Sequence, residues 1–148
     1  MTGKPEPVVK MLVVEDNSGD VRLMKEAMKG TRLKADIVHD GIEALDFLHQ
    51  AGKYKDASAP DLILLDLNLP RKDGREVLAE IKKDPNLRQI PVIVLTISGD
   101  VNDIRRCYNL HANCYITKPL DFDEFLKTVK SIENFWFKTV QLPYLSRN

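Results

Sequence analysis

Five short apolar runs punctuate this chain, and polar breaks separate them from stretches whose apolar residues recur three and four apart. Residues 8–14 are nearly continuous in apolar side chains and predict a first strand, closed by Glu15, Asp16 and Asn17. Asn17 or Ser18 can cap a helix that has Asp20 in its first turn. That helix carries Val21, Met24, Ala27 and Met28 on one face and stops at Gly30. Residues 33–39 read as a shorter second strand. A second helix is expected over residues 42–51, with Ala44, Leu45 and Leu48 inward, followed by a loop over 54–60. Leu62, Ile63, Leu64 and Leu65 then run straight into Asp66, and Pro70 and Asp73-Gly74 mark the turn beyond. Such a bounded apolar run is the pattern of a strand buried on both faces. A third helix with Val77, Leu78 and Ile81 ends at Asp84-Pro85. A fourth strand over 90–96 ends in Thr96, a fourth helix covers 101–110, and a fifth strand over 113–117 ends in Lys118-Pro119. Asp121 can cap a last helix reaching about residue 137, with Phe122, Phe125, Leu126, Val129, Ile132 and Trp136 as its inward stripe.

Strand and helix alternating five times predict an α/β fold, a doubly wound parallel sheet with helices on both faces. In such a sheet the strand C-termini share one edge, where ligands bind. The residues standing there are Glu15 and Asp16, then Asp66, then Thr96, then Lys118. Three carboxylates in one cleft repel one another, and a hard divalent cation relieves the repulsion. Mg²⁺ suits such oxygen ligands, with Mn²⁺ as a second candidate. The remaining carboxylate, the ammonium and the hydroxyl then fit a phosphoryl group, which the carboxylate can attack in line.

Composition narrows the class. The chain has 148 residues, 43% hydrophobic and 30% charged, with 22 Lys+Arg against 22 Asp+Glu. One domain is expected, and a neutral balance gives no electrostatic reason for nucleic acid or an anionic membrane as partner. No stretch has the length of a membrane span or the pattern of a secretory leader, so the cytoplasm is the expected location. Cys107 and Cys114 have neither metal-site nor redox-motif spacing, and Cys114 reads as a small buried apolar residue.

The acidic pair Glu15-Asp16, the segment Asp66-Leu67-Asn68-Leu69-Pro70, Thr96 and Lys118-Pro119 each stand at a strand end, in this order. Together they resemble the receiver domain of two-component response regulators over residues 8–137. The resemblance implies a flavodoxin-like (β/α)5 receiver with strand order 2-1-3-4-5. It implies that Asp66 takes a phosphoryl group from the phosphohistidine of a sensor histidine kinase. Asp16 would bind Mg²⁺ directly, Glu15 through water and Asn68 through its backbone carbonyl. Lys118 would pair with the phosphoryl group, and Thr96 would move to hydrogen-bond it while Tyr115 swings inward. The Lys118–Pro119 bond is expected to be cis. Ile97 stands where the family usually has a small residue, so slower access for small phosphodonors and water is expected. Ser98 and Asn68 occupy positions that tune hydrolysis.

The expected organisation is a loose tail over 1–7, a receiver over 8–138 and an extension over 139–148, with no output domain. Output is then expected by contact with another protein or by passing the phosphoryl group onward. The apolar surplus of the last helix, with Phe135, Phe137, Val140 and Leu142, points either to self-association or to a folded-back C-terminal segment. A homodimer through the fourth helix, fifth strand and last helix is the favoured reading. Several segments resemble the small single-domain regulators that partner phytochrome-type sensor kinases. A phosphorelay shuttle or phosphate sink is an alternative of the same chemistry. An aspartyl-phosphate phosphatase needs a second carboxylate two residues after its nucleophile, and Asn68 stands there.

Overall fold

Strand runs that are apolar on every residue can only be satisfied by a sheet covered on both sides, and that is how this chain folds. The computed structural model describes residues 8–143. Strands β1 (Val9–Val14), β2 (Leu33–Val38), β3 (Leu62–Leu65), β4 (Val92–Thr96) and β5 (Cys114–Thr117) form one parallel sheet in the order β2-β1-β3-β4-β5. Helices α1 (Ser18–Met28), α2 (Gly41–Leu48), α3 (Gly74–Lys83), α4 (Val101–Asn109) and α5 (Phe122–Glu133) connect and cover them. The flavodoxin-like receiver order is thus observed.

Alternate residues of each central strand serve opposite faces. Leu12, Val14, Ile63, Leu65, Val92 and Val94 pack with Ala44 and Phe47 of α2, Val77 and Ile81 of α3, and Cys107 of α4. Met11, Val13, Leu62, Leu64, Ile93 and Leu95 pack with Met24 and Ala27 of α1 and Phe125, Val129 and Ile132 of α5. Leu62 to Leu65 are all essentially fully buried, each contributing about 2 kcal/mol of burial. A charge placed at Ile63 would have no route to water.

Several boundaries differ from the sequence pattern. Helix α2 ends at Leu48 rather than 51, because Gln50 takes the left-handed region (φ 56°) and the Ala51 N–H turns back to the Asp46 carbonyl. A short 3₁₀ turn, Gly52–Tyr54, follows. The α-helical part of the last helix stops at Glu133 and continues as a wider π turn, Asn134–Thr139. Phe122, expected inward, is exposed at 44%, since it opens the helix beside the loop rather than over the sheet. Cys114 is only half-buried on the edge strand. Leu142 folds back and is buried with Phe125, Val129 and Ile132, so part of the C-terminal apolar surplus is used within the chain. The tail expected over 1–7 and the last residues of the extension, 144–148, lie outside the described residues. No helix among the described residues is long and apolar enough to cross a membrane.

Candidate functional site

The sheet itself delivers the polar residues to one edge. Val14 pairs with Leu65 in register, so the next residues along the two strands, Glu15 and Asp66, fall side by side. Backbone bonds continue past the strands: Glu15 N–H to the Val38 carbonyl, Asp66 N–H to the Val14 carbonyl, and Lys118 N–H to the Thr96 carbonyl at 2.7 Å. Backbone pairing thereby fixes the starting point of each side chain.

Lys118 Nζ is the centre of the cluster. It lies 2.6 Å from Glu15 Oε1, 2.8 Å from Asp20 Oδ2 and 3.1 Å from Asp66 Oδ2. The last two are aligned hydrogen bonds. The Glu15 contact is the shortest of the three, a charge-assisted pair inside the fold. Burial works against the charge on Lys118. The contacts with Asp20 and Glu15 and the charge of Asp66 outweigh it and hold the ammonium above its ordinary pKa. Glu15 is pushed up to about 7, first by burial and then by the Asp66 charge, with Lys118 opposing. Three carboxylates share one cation, so the pocket is short of positive charge.

The loop after β3 is held by close packing. A Cβ on Gly74 would stand 2.2 Å from the Asp66 carbonyl oxygen, and the Gly74 N–H donates to the Leu67 carbonyl. Only glycine permits α3 to start this close to Asp66. On the far side, a Cβ on Gly41 would stand 2.2 Å from the Lys72 carbonyl. Arg71, with φ 65°, pairs with Asp40 at the N-terminus of α2. Asn68 N–H donates to Asp66 Oδ1 at 3.3 Å, while the Asn68 side chain faces solvent.

Thr96 is fully buried, and its hydroxyl has no hydrogen-bond partner. Ser98 Oγ donates to Asp103 Oδ2 at 2.7 Å, and Arg75 Nη2 reaches Asp103 Oδ1 at 2.7 Å. Tyr115 donates its hydroxyl to the Ser98 carbonyl at 2.7 Å. The β4–α4 loop is therefore tied both to the start of α3 and to β5. Ile97 is 65% exposed and lines a hollow of about 240 Å³ with Asp20, Lys118, Leu120 and Phe122.

The sequence profile of the response regulator receiver domain matches residues 11–130. The chain belongs to this family. The receiver is similar to response regulator Rcp1 of Synechocystis sp., 47% identical over 145 residues, 97% of this chain and 99% of the relative. Among solved structures, it resembles the Mn(2+)-bound form of Rcp1 at 49% identity and TM-score 0.87, over 91% of this chain and 99% of that one. It also resembles the phosphorylated cyanobacterial phytochrome response regulator RcpA at 52% identity and TM-score 0.89, over 92% and 99%.

Of the residues singled out in the receiver's sequence, Glu15, Asp66 and Lys118 meet directly, and Thr96 is joined to them through the Lys118 backbone. Asp16 is exposed and takes no part in these contacts. The Lys118–Pro119 bond, expected cis, is trans, and no cis peptide occurs among the described residues. The intrinsic trans preference of an X–Pro bond is kept, and Lys118 reaches all three carboxylates from it. The sequence marks Asp20 only as a first-turn acid. Its partner is 98 residues away; the available signal was that the helix after β1 starts over the same sheet edge.

The donor set fits a hard divalent cation. Three carboxylates share the one ammonium, and two of them, Glu15 and Asp66, are buried. Among the described residues no group of three or more His, Cys, Asp or Glu is already arranged to hold a metal ion.

Proposed function

We propose that this receiver accepts a phosphoryl group on Asp66 from a sensor histidine kinase and signals through phosphorylation-dependent contacts with other proteins. The observation that carries this reading is the Lys118 ammonium at 3.1 Å from Asp66 Oδ2 at the sheet edge. An Asp66 oxygen forms the new O–P bond, the P–N bond of the phosphohistidine breaks, and the imidazole nitrogen leaves with the electron pair. Lys118 pairs with the phosphoryl oxygens. The unpartnered Thr96 hydroxyl supplies a donor that has no other use in the resting state. Its movement loosens the loop whose Ser98 carbonyl holds Tyr115, which carries the change to β5.

Glu15, Asp16 and Asp66, with the Asn68 backbone carbonyl, would hold Mg²⁺, and Mn²⁺ suits the same oxygens. When bound, the cation supplies charge neutralisation for the phosphoryl oxygens. The Mn(2+)-bound Rcp1 and phosphorylated RcpA structures support both parts of the reading. RcpA is a phytochrome response regulator, which supports a phytochrome-type kinase as partner; the cytoplasm is the proposed location. The chain is not a conventional enzyme, since Asn68 replaces the acid–base carboxylate a phosphatase needs; its own phosphorylation and dephosphorylation are the reactions it promotes. A homodimer through α4, β5 and α5 would use the groove of about 800 Å³ lined by Ile116, Phe135, Trp136 and Val140.

Incubation with acetyl phosphate or a cognate kinase, with and without Mg²⁺, followed by intact mass, tests the reading. One added phosphoryl group that requires Mg²⁺ and vanishes in Asp66→Asn is the expected result. An unchanged mass with both donors, or equal labelling of Asp66→Asn, would overturn it.

A further inference from the structure

We propose that Asp20 is a positioning residue for Lys118, a displaceable counter-ion that must release the ammonium before a phosphoryl group can settle on Asp66. This rests on the reading of Asp66 as phosphoacceptor.

An ammonium has three N–H donors, and Lys118 faces three carboxylates at 2.6–3.1 Å. A phosphoryl group on Asp66 adds oxygens that need the same cation, so one carboxylate has to withdraw. Glu15 stays, because its side chain is 2% exposed and cut off from bulk solvent, and a carboxylate that serves the cation through water can keep its contact with the ammonium. Asp66 carries the new group and is 8% exposed. Asp20 is 25% exposed, on the first turn of α1, and lines the hollow that opens onto Lys118. It alone of the three can exchange its Lys118 bond for water at small cost. Until it does, it draws the ammonium toward α1 and adds a negative charge where a phosphoryl dianion arrives. A helix-dipole role for a first-turn acid would not aim the carboxylate at a residue 98 positions away.

The test is a fluoride NMR titration of beryllofluoride, a phosphoryl mimic, at saturating Mg²⁺, on wild type and on Asp20→Asn, Asp20→Glu, Asp121→Asn and Asp66→Asn. Asp121 lines the same hollow but makes no ion pair with Lys118, so it reports the effect of charge alone. Asp20→Asn is expected to bind the mimic about tenfold more tightly, the scale of one partly screened like charge at close range. Asp20→Glu should return to within about twofold of wild type, and Asp121→Asn should stay there. Thermal melts check that each variant folds; Asp20→Glu keeps the comparison decisive if the amide variant is weakened. Binding by Asp20→Asn that is unchanged or weaker, or an equal gain in Asp121→Asn, would overturn the role of Asp20. Wild type that binds no mimic, or binds it equally as Asp66→Asn, would overturn the phosphoacceptor reading instead.

Discussion

Two lysines, at opposite ends of the sheet, show what separates a structural cation from a functional one. Lys82, in the last turn of α3, donates to the Arg88 and Ile90 carbonyls and to Asn113 Oδ1, at 2.8–3.1 Å. All three acceptors are neutral, and burial lowers its pKa. It closes the gap between α3, the start of β4 and the start of β5, where Asn113 also receives the Val92 N–H. Lys118 has the same three donors but faces three carboxylates, and its pKa is raised. Around Lys82 the hydrogen bonds are complete. Around Lys118 negative charge is in excess, and the Thr96 hydroxyl next along the edge has no partner. Incomplete satisfaction at an otherwise well-packed edge is what leaves room for a cation and a phosphoryl group.

The strongest break in this contrast is Lys118→Met. It leaves Glu15 and Asp66 buried with no counter-charge, and metal-free protein should lose about 3–5 kcal/mol at pH 8 in chemical denaturation. Mg²⁺ should restore part of that loss, and covalent phosphorylation should be absent. Gly74→Ala sets a methyl group against the Asp66 carbonyl and should cost about 3 kcal/mol while slowing phosphorylation, read by the same denaturation and by intact mass. Lys82→Met should cost about 1–3 kcal/mol through the stranded carbonyls, yet leave the extent of phosphorylation unaltered.

A pH series sharpens the contrast further. Glu15 titrates near 7 in the folded chain against 4.5 ordinarily. A raised carboxyl pKa means the folded protein holds the extra proton. The contribution is therefore complete below pH 4.5 and is lost as pH rises through 7, on the order of 3 kcal/mol. Denaturation of chelator-treated wild type across this window should show the slope, and Glu15→Gln should flatten it. The smallest expected effect is at Thr96. Replacing a buried, unpartnered hydroxyl by a methyl group in Thr96→Val should raise resting stability by about 1 kcal/mol, while uncoupling Tyr115 from phosphorylation, as read from its ring NMR signals.

Glu15, Asp66, Thr96 and Lys118 were legible in the sequence because each ends a strand, and parallel pairing converts strand ends into neighbours without further information. Gly74 was legible as a turn residue, though not as the contact that seats α3 against Asp66, since a close backbone approach leaves no sequence mark of its own. Asp20 was hidden because it ends no strand and its partner stands 98 residues further along the chain. The early end of α2 depends on Gln50 adopting a left-handed conformation, which propensity does not favour outside glycine and asparagine. The burial of Leu142 depends on a chain reversal after the π turn, beyond the reach of a periodic pattern.

The contrast between the two lysines is tested most directly by the Mg²⁺ dependence of thermal unfolding in wild type, Lys118→Met and Lys82→Met. Wild type and Lys82→Met should gain the same increment in Tm on adding Mg²⁺, and Lys118→Met should start lower and gain more, because its acids have no other cation. A Tm of wild type indifferent to Mg²⁺, or an increment lost in Lys82→Met and unchanged in Lys118→Met, would contradict a charge-deficient pocket centred on Lys118.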